Sequence, residues 1–251
     1  MNHSFIPARP IAAFLVTVAG FAHAQSTAGL PTYLTDRGEG IRTSLLGTYI
    51  RSNELVVYPF YEYTRTKNFE YKPSDLGYVG ATDFDGGKLT EKEYLVYFGY
   101  GISDSLMVEF ESALYSTVNF TKGGNDTSAV PAQIRESGLG DTEAQIRWRY
   151  AKETETRPDI TFYFQTVFPF QRSKKLLGTH NWEFGSGTVV TKGYSFGTLS
   201  LRAGVKYDRG DRQFKVGEYG IDYLKCLSPE WRVALSLEGE ESKLSAIREL
   251  G

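Results

Sequence analysis

The chain has 251 residues, of which 14% are aromatic, and this composition excludes a disordered protein. The formal net charge of −2 gives no basic surface that would suggest binding of nucleic acid. The single cysteine, Cys226, excludes an internal disulfide and a thiolate metal cluster. Abundant Gly, Tyr and Phe residues are typical of a β-rich protein with many turns.

The first 24 residues have the three parts of a secretory signal peptide. Met1–Pro10 contains one Arg and no acidic residue, Ile11–Phe21 is apolar, and Ala22-His-Ala24 matches the small-x-small cleavage pattern. The apolar run is too short for a membrane-spanning helix, and no longer run follows it. We therefore expect export of the chain with cleavage before Gln25.

Residues 25–53 precede the first predicted strand and contain Arg37, Glu39 and Arg42 among glycines. Three interpretations are open for this segment. It folds into a barrel lumen as a plug, it forms a periplasmic tail, or it includes an additional strand at Ser44–Ile50.

From residue 54 onward, alternation of apolar and polar residues predicts nine strands. A tilted strand needs about 9–11 residues to cross a bilayer, and most of the predicted strands are long enough. A tenth begins near Lys243. The nine predicted strands are Leu55–Arg65, Glu93–Gly101, Leu106–Val118, Leu139–Ala151, Asp159–Phe170, Trp182–Lys192, Thr198–Tyr207, Phe214–Lys225 and Trp231–Glu240.

Alternation alone does not reveal which face of the strands is inside, so it fits both a transmembrane barrel and a soluble β-sandwich. The lengths of the connections between the strands distinguish these two folds. Thr66–Lys92 and Asn119–Gly138 are long, whereas the turns at Gly101–Ser105 and Gly193–Gly197 are short. Outer-membrane barrels alternate long external loops with short periplasmic turns. The pattern therefore favours a transmembrane barrel over a soluble β-sandwich, with the N-terminus in the periplasm.

The stretch Gly138-Leu-Gly-Asp141, followed by a regularly alternating strand, resembles the signature of a family of bacterial outer-membrane β-barrel transporters. That family is also described as outer-membrane proteins of the meta pathway of phenol degradation. Glu54–Tyr63 and Phe162–Phe170 are similar to it as well, and the similarity extends from about Asp36 to the end of the chain. The resemblance implies a channel for small solutes, with hydrophobic or aromatic compounds as candidates. It also implies outer-membrane lipid and the barrel-insertion machinery as partners.

The number of strands departs from the pattern of such barrels. Single-chain bacterial barrels have an even number of strands, and families of this kind typically end on an aromatic residue, whereas this sequence ends at Gly251. We predict an all-β, antiparallel transmembrane up-and-down β-barrel with nine or ten of twelve strands and a truncated C-terminus. The predicted division is a signal peptide at 1–24, the N-terminal segment at 25–53 and the incomplete barrel at 54–251.

If the apolar faces meet lipid, the polar faces line the lumen. A charged pore wall and an ion-pair network that fills the barrel both fit these residues, and the similar number of both charges favours the network. Four aromatic residues are predicted to form a girdle at the membrane interface rather than a path for aromatic solutes: Trp148, Tyr150, Phe168 and Phe170. The lumen-lining candidates are Glu109, Glu111, Asp141, Glu143, Arg147, Arg149, Arg202, Lys206, Arg232 and Glu238.

The predicted function is passive passage of small solutes through an outer-membrane channel or transporter. A non-conducting structural or adhesion barrel is the alternative. A hydrolase is less favoured, because His180 is the one histidine after residue 24 and no serine motif points to it. We expect no enzyme activity, cofactor or metal, and the sequence leaves the solute and the oligomeric state open.

Overall fold

The structure is a computed structural model and describes residues 29–170, 174–210, 212–228 and 231–239. The predicted signal peptide and the tenth strand predicted near Lys243 lie outside the described residues. A single turn of 3-10 helix at Thr32–Leu34 precedes the strands. In chain order these are β1 (Ile41–Arg42), β2 (Tyr49–Ile50), β3 (Leu55–Tyr71), β4 (Phe84–Gly101), β5 (Leu106–Thr121), β6 (Gln133–Gly138), β7 (Thr142–Ala151), β8 (Asp159–Phe168), β9 (Glu183–Tyr194), β10 (Gly197–Asp208), β11 (Gln213–Cys226) and β12 (Arg232–Gly239).

Nine of these strands form one antiparallel sheet in the order β3-β4-β5-β7-β8-β9-β10-β11-β12. Each strand pairs with its neighbour along this path, so the sheet is an up-and-down meander curled into a half-barrel. All nine strands predicted from alternation are confirmed. Within the described part of the chain, β3 and β12 are the two edges of the sheet.

Two short strands, β1 and β6, escape the sequence prediction, and β2 covers only the end of the strand considered at Ser44–Ile50. β6 pairs with the second half of β5, residues 116–121, and β7 pairs with the first half, residues 106–112. β6 and β7 therefore lie end to end beside β5, with an interruption at residues 139–141. β1 pairs only with β2, forming a small hairpin apart from the main sheet. Of the predicted additional strand Ser44–Ile50, only Tyr49 and Ile50 are in a strand, and they belong to this hairpin.

The two faces of the sheet have opposite chemistry. On β7, the side chains of Arg147 and Arg149 are 1% and 6% exposed, whereas Ile146 and Trp148 are 51% and 49% exposed. The buried face is the concave one, because the curled strands and the N-terminal residues cover it. This sheet is therefore polar inside and apolar outside, and no second sheet in the described ranges packs on the apolar face.

Connections of different length lie at the two ends of the sheet. At the short-turn end β4 is followed by β5, β7 by β8, β9 by β10 and β11 by β12; at the long-loop end β3 is followed by β4, β5 by β6, β8 by β9 and β10 by β11. The alternation predicted from the sequence is present, except that only four residues separate β10 from β11. The predicted long connections are shorter than expected, because β3, β4, β5 and β6 extend into them.

The extended parts of β3, β4 and β5 enclose a small hydrophobic core at the long-loop end, formed by Tyr71, Leu76, Phe120 and Val130. The Tyr71 hydroxyl donates a hydrogen bond of 2.7 Å to the buried Asp126 carboxylate. Burial alone would raise the pKa of Asp126, but hydrogen bonds from Ser128 and Tyr71 outweigh burial and hold that pKa below its usual value. The ionised carboxylate therefore stabilises this core.

Candidate functional site

The inner face of the sheet has two zones along the strands. On β7, Arg147 and Arg149 lie toward the short-turn end, whereas Glu143 and the preceding Asp141 lie at the opposite end. Residues 29–53, called the N-terminal segment, cover the zone near the short-turn end. The zone near the long-loop end is an open cavity.

Buried ion pairs attach the N-terminal segment to the sheet and its turns. The Arg37 guanidinium lies 2.8 Å from the Glu153 carboxylate in the turn after β7, and both side chains are at most 2% exposed. Arg42 makes a 2.5 Å ion pair with Asp222 on β11. Such pairs hold their partners in place, because separating them leaves an uncompensated buried charge.

Further contacts attach the segment to other strands. The Ser44 amide and hydroxyl donate hydrogen bonds to Glu109 on β5. Asp36 accepts a 2.9 Å hydrogen bond from the Cys226 amide at the end of β11. Ile41 and Ile50 pack against Met107 of β5 in a second buried cluster. The segment therefore crosses the inner face from β5 to β11.

Two glycines allow the N-terminal segment to lie flat on the strands. A Cβ atom at Gly101 would lie 1.9 Å from the carbonyl oxygen of Arg51. A Cβ atom at Gly193 would lie 1.8 Å from the carbonyl oxygen of Tyr33. Neither distance permits a side chain, so glycine is required where the backbone of the segment crosses β4 and where it meets the end of β9.

Beneath the segment, charged residues of neighbouring strands pair with one another. Arg147 Nε lies 3.0 Å from Glu109, and Arg149 Nε lies 3.0 Å from Asp159. Arg202 lies 2.8 Å from Glu218 and 2.7 Å from Glu238. These ion pairs contain five of the predicted lumen residues: Glu109, Arg147, Arg149, Arg202 and Glu238. Arg232 lies on the same face of the edge strand β12 as Glu238.

The zone near the long-loop end encloses a cavity of about 400 Å³, called the acidic cavity. Glu111, Asp141, Glu143 and Lys206, the other predicted lumen residues, line it. Lys206 is the one basic residue of its described lining, and its ammonium lies 2.6 Å from Glu183. The eight carboxylates of the lining are Glu62, Glu91, Glu93, Glu111, Asp141, Glu143, Glu183 and Glu218.

Most of this negative charge has no cation beside it. Glu143 accepts hydrogen bonds from Gln145 and Gln165, at 2.6 and 3.1 Å, and neither donor carries a charge. Across the described ranges, no Lys or Arg lies within ion-pair distance of Glu62, Glu91 or Glu111. The acidic cavity therefore has a net negative field, which attracts cations and repels anions.

Residues 174–180 contribute Gly178 and Thr179 to the lining of the acidic cavity. The backbone amides of Lys175, Leu176 and Leu177 donate hydrogen bonds to the Glu136 carboxylate on β6. The Thr179 amide donates a 2.7 Å hydrogen bond to Asp141, and Thr179 lines the cavity. His180 is exposed, and its ring contacts the carbonyl oxygen of Lys174 rather than a described serine or carboxylate.

Aromatic residues on the outer face form two groups at different heights. Near the short-turn end, Trp148 and Tyr150 contact Phe162. Near the long-loop end, Phe168 contacts Phe170 and Trp182. The four predicted girdle residues are thus divided between two groups. The cross-strand register brings Phe162 and Trp182 into these groups, and alternation within one strand did not reveal them.

The separation of the two aromatic groups is somewhat smaller than the apolar band of about 25 Å in transmembrane barrels. Phe168 lies opposite Thr142, eight residues along β7 from Tyr150. At about 3.3 Å per residue the separation is about 26 Å along the strand. For a strand tilted by about 40°, this corresponds to about 20 Å along the barrel axis.

No protein-family model matches the chain, and no curated protein is similar to it. The family resemblance seen in the sequence therefore stays a prediction. No helix in the described ranges is both long and apolar enough to cross a membrane. Nor do the described residues contain a group of three His, Cys, Asp or Glu side chains placed to hold a metal ion.

Proposed function

We propose that this protein is an outer-membrane channel for passive passage of small polar solutes, with a preference for cations. The observation that carries this proposal is the reversed polarity of the curled sheet. Its charged face is buried inside, whereas Phe110, Ile146, Phe164 and Leu201 on the outer face are 42–57% exposed. Soluble monomers rarely expose apolar patches larger than a few hundred Å². Lipid is the environment that suits such a surface.

The two aromatic groups support the same orientation in a membrane. Amphipathic aromatic rings favour the headgroup level on each side of a bilayer, and transmembrane barrels have such girdles above and below the apolar band. Export through residues 1–24 and assembly by the barrel-insertion machinery are parts of the proposal. The long-loop end would then face outward and the short-turn end the periplasm.

The acidic cavity supports cations as the preferred solutes. Its carboxylates outnumber its single ammonium group eight to one. Low-dielectric walls around such a cavity focus the field and raise the local concentration of cations. Passage of hydrophobic or aromatic compounds rests on the family resemblance alone, since the charged lining gives them little apolar surface.

The N-terminal segment acts in this proposal as a plug of the short-turn half. It lies across the inner face and is attached to β5, to β11 and to the turn after β7. Solute passage then requires displacement of the segment or a narrow path beside it. The filled short-turn half also favours a second candidate function, a non-conducting structural barrel.

Conductance in planar bilayers distinguishes the two functions. The full chain and a variant lacking residues 29–40 would be inserted, and the reversal potential measured across a KCl gradient. A cation-selective conductance that increases in the deletion variant supports the plugged channel. If neither protein conducts although both insert, the barrel is structural.

A further inference from the structure

A group of exposed basic residues lies on the outer face where β3, β4 and β6 extend beyond the rest of the sheet. Along β3 the outward side chains change from apolar Leu55 and Val57 to Tyr61 and Tyr63, and then to basic residues. The basic residues are called the basic patch and are Arg65, Lys67, Lys88, Lys92 and Arg135.

The register places these side chains in adjacent rows across the strands. Lys67 lies directly opposite Lys88, and Tyr63 lies directly opposite Lys92. Arg65 pairs with Thr90, and Arg135 with Asn119, in a row between those two. Like charges directly opposite each other on a sheet are destabilising. The Lys67–Lys88 pair therefore costs stability unless an anion lies between the two ammonium groups.

The protein itself supplies no such anion from the described residues. No carboxylate lies within ion-pair distance of any member of the basic patch, and the residues between its members on the outer face are uncharged. The uncharged neighbours are Thr90, Thr117, Asn119, Thr121, Gln133 and Ser137.

We propose that the basic patch binds the phosphate groups of lipid headgroups in the leaflet at the long-loop end. This inference rests on the proposed membrane location of the sheet. Tyr63 is level with Lys92, and Tyr61, Tyr94 and Tyr115 lie just below the patch on the same face, where amphipathic rings mark the headgroup level. Phosphates at that level face the basic side chains directly, and Arg and Lys both bind phosphate strongly.

The patch occupies one side of the half-barrel only. β3, β4 and β5 have 17, 18 and 16 residues, whereas β8 has 10 and β9 and β10 have 12 each. The bound lipid therefore contacts the sheet near its β3 edge and leaves the β8–β10 side free.

The test measures the lipid selectivity of the full chain. The protein would be held in micelles with equal amounts of phosphatidic acid and phosphatidylcholine, and bound lipids would be counted by native mass spectrometry. We expect a preference for phosphatidic acid that decreases with added salt. Lys67→Gln with Lys88→Gln should reduce the preference about 25-fold, since each basic group near an anionic surface contributes about fivefold.

Two controls separate charge from other effects. Lys152→Gln with Arg157→Gln removes two exposed charges at the short-turn end and should leave the preference unchanged. Lys67→Arg with Lys88→Arg keeps both charges and should retain it. Equal binding of both lipids by the unchanged protein would overturn the proposal, as would an equal loss in the Arg and Gln variants.

Insertion of the unchanged protein into phosphatidylcholine vesicles separates failure of this inference from failure of the proposed function. A protein that inserts and conducts but shows no lipid preference contradicts the basic patch alone. A protein that fails to enter the vesicles contradicts the channel, and the inference with it.

Discussion

Arg42→Gln removes one partner of a buried ion pair between the N-terminal segment and the sheet. Loss of one partner of such a pair costs about 3–5 kcal/mol, because the other charge stays buried and uncompensated. Asp222 keeps a 2.6 Å hydrogen bond from Ser236 and the Arg202 guanidinium at 3.8 Å. We therefore expect the low end of the range, about 3 kcal/mol, which lowers the docking equilibrium of the segment about 100-fold.

Hydrogen exchange of the amides of residues 41–50 measures this effect. They should exchange about 100-fold faster in Arg42→Gln if the segment opens as a unit. Arg51→Gln is the matched control, because the Arg51 side chain is 53% exposed and its 3.4 Å ion pair with Glu54 is worth at most about 1 kcal/mol. The double variant Arg42→Met with Asp222→Leu should restore slow exchange, since neither charge is then left buried alone.

The result that would refute this reasoning is unchanged exchange of residues 41–50 combined with faster exchange throughout the sheet. The segment would then be an inseparable part of the barrel wall, and could not act as a plug that moves independently of the strands.

Three other predictions concern different parts of the molecule. Gly193→Val should displace the N-terminal segment and increase bilayer conductance, whereas Gly124→Ala, with open space around it, should change neither. Glu91→Gln with Glu111→Gln should shift the reversal potential toward that of an unselective pore, and an unchanged potential would exclude the acidic cavity from selectivity. Asp126→Asn should lower the thermal midpoint at neutral pH. The lowered folded-state pKa of Asp126 means that this difference should shrink as the pH falls below about 4, where the unchanged protein loses the same stabilisation.

The nine main strands could be predicted because apolar residues of the outer face alternate with polar residues of the inner face along most of their length. The extended part of β3 and β4 was predicted as a loop, because its outer face is polar and register shifts after Lys67 and Phe69 interrupt the alternation. Thr66–Lys92 therefore lacks the contrast that reveals a strand.

The sequence predicts which residues lie on the inner face of the sheet, but it does not predict which side chains pair with one another there. Alternation placed Glu109 and Arg147 on the same side, yet nothing in their own strands indicates that Ser44 shares the Glu109 carboxylate. Arg42 and Asp222 are 180 residues apart in the chain. The acidic cavity likewise gathers carboxylates from six strands and from Asp141 just before β7, a grouping that only the curvature of the sheet produces.

The meander of nine strands limits how its two edge strands, β3 and β12, can be joined in a closed barrel. Successive strands reverse direction, so the first and the ninth, β3 and β12, point the same way. Joined directly, these two strands would make a parallel seam, with slanted hydrogen bonds and slightly weaker pairing. A ring in which every seam is antiparallel therefore has an odd number of strands between β12 and β3, and an even number in total.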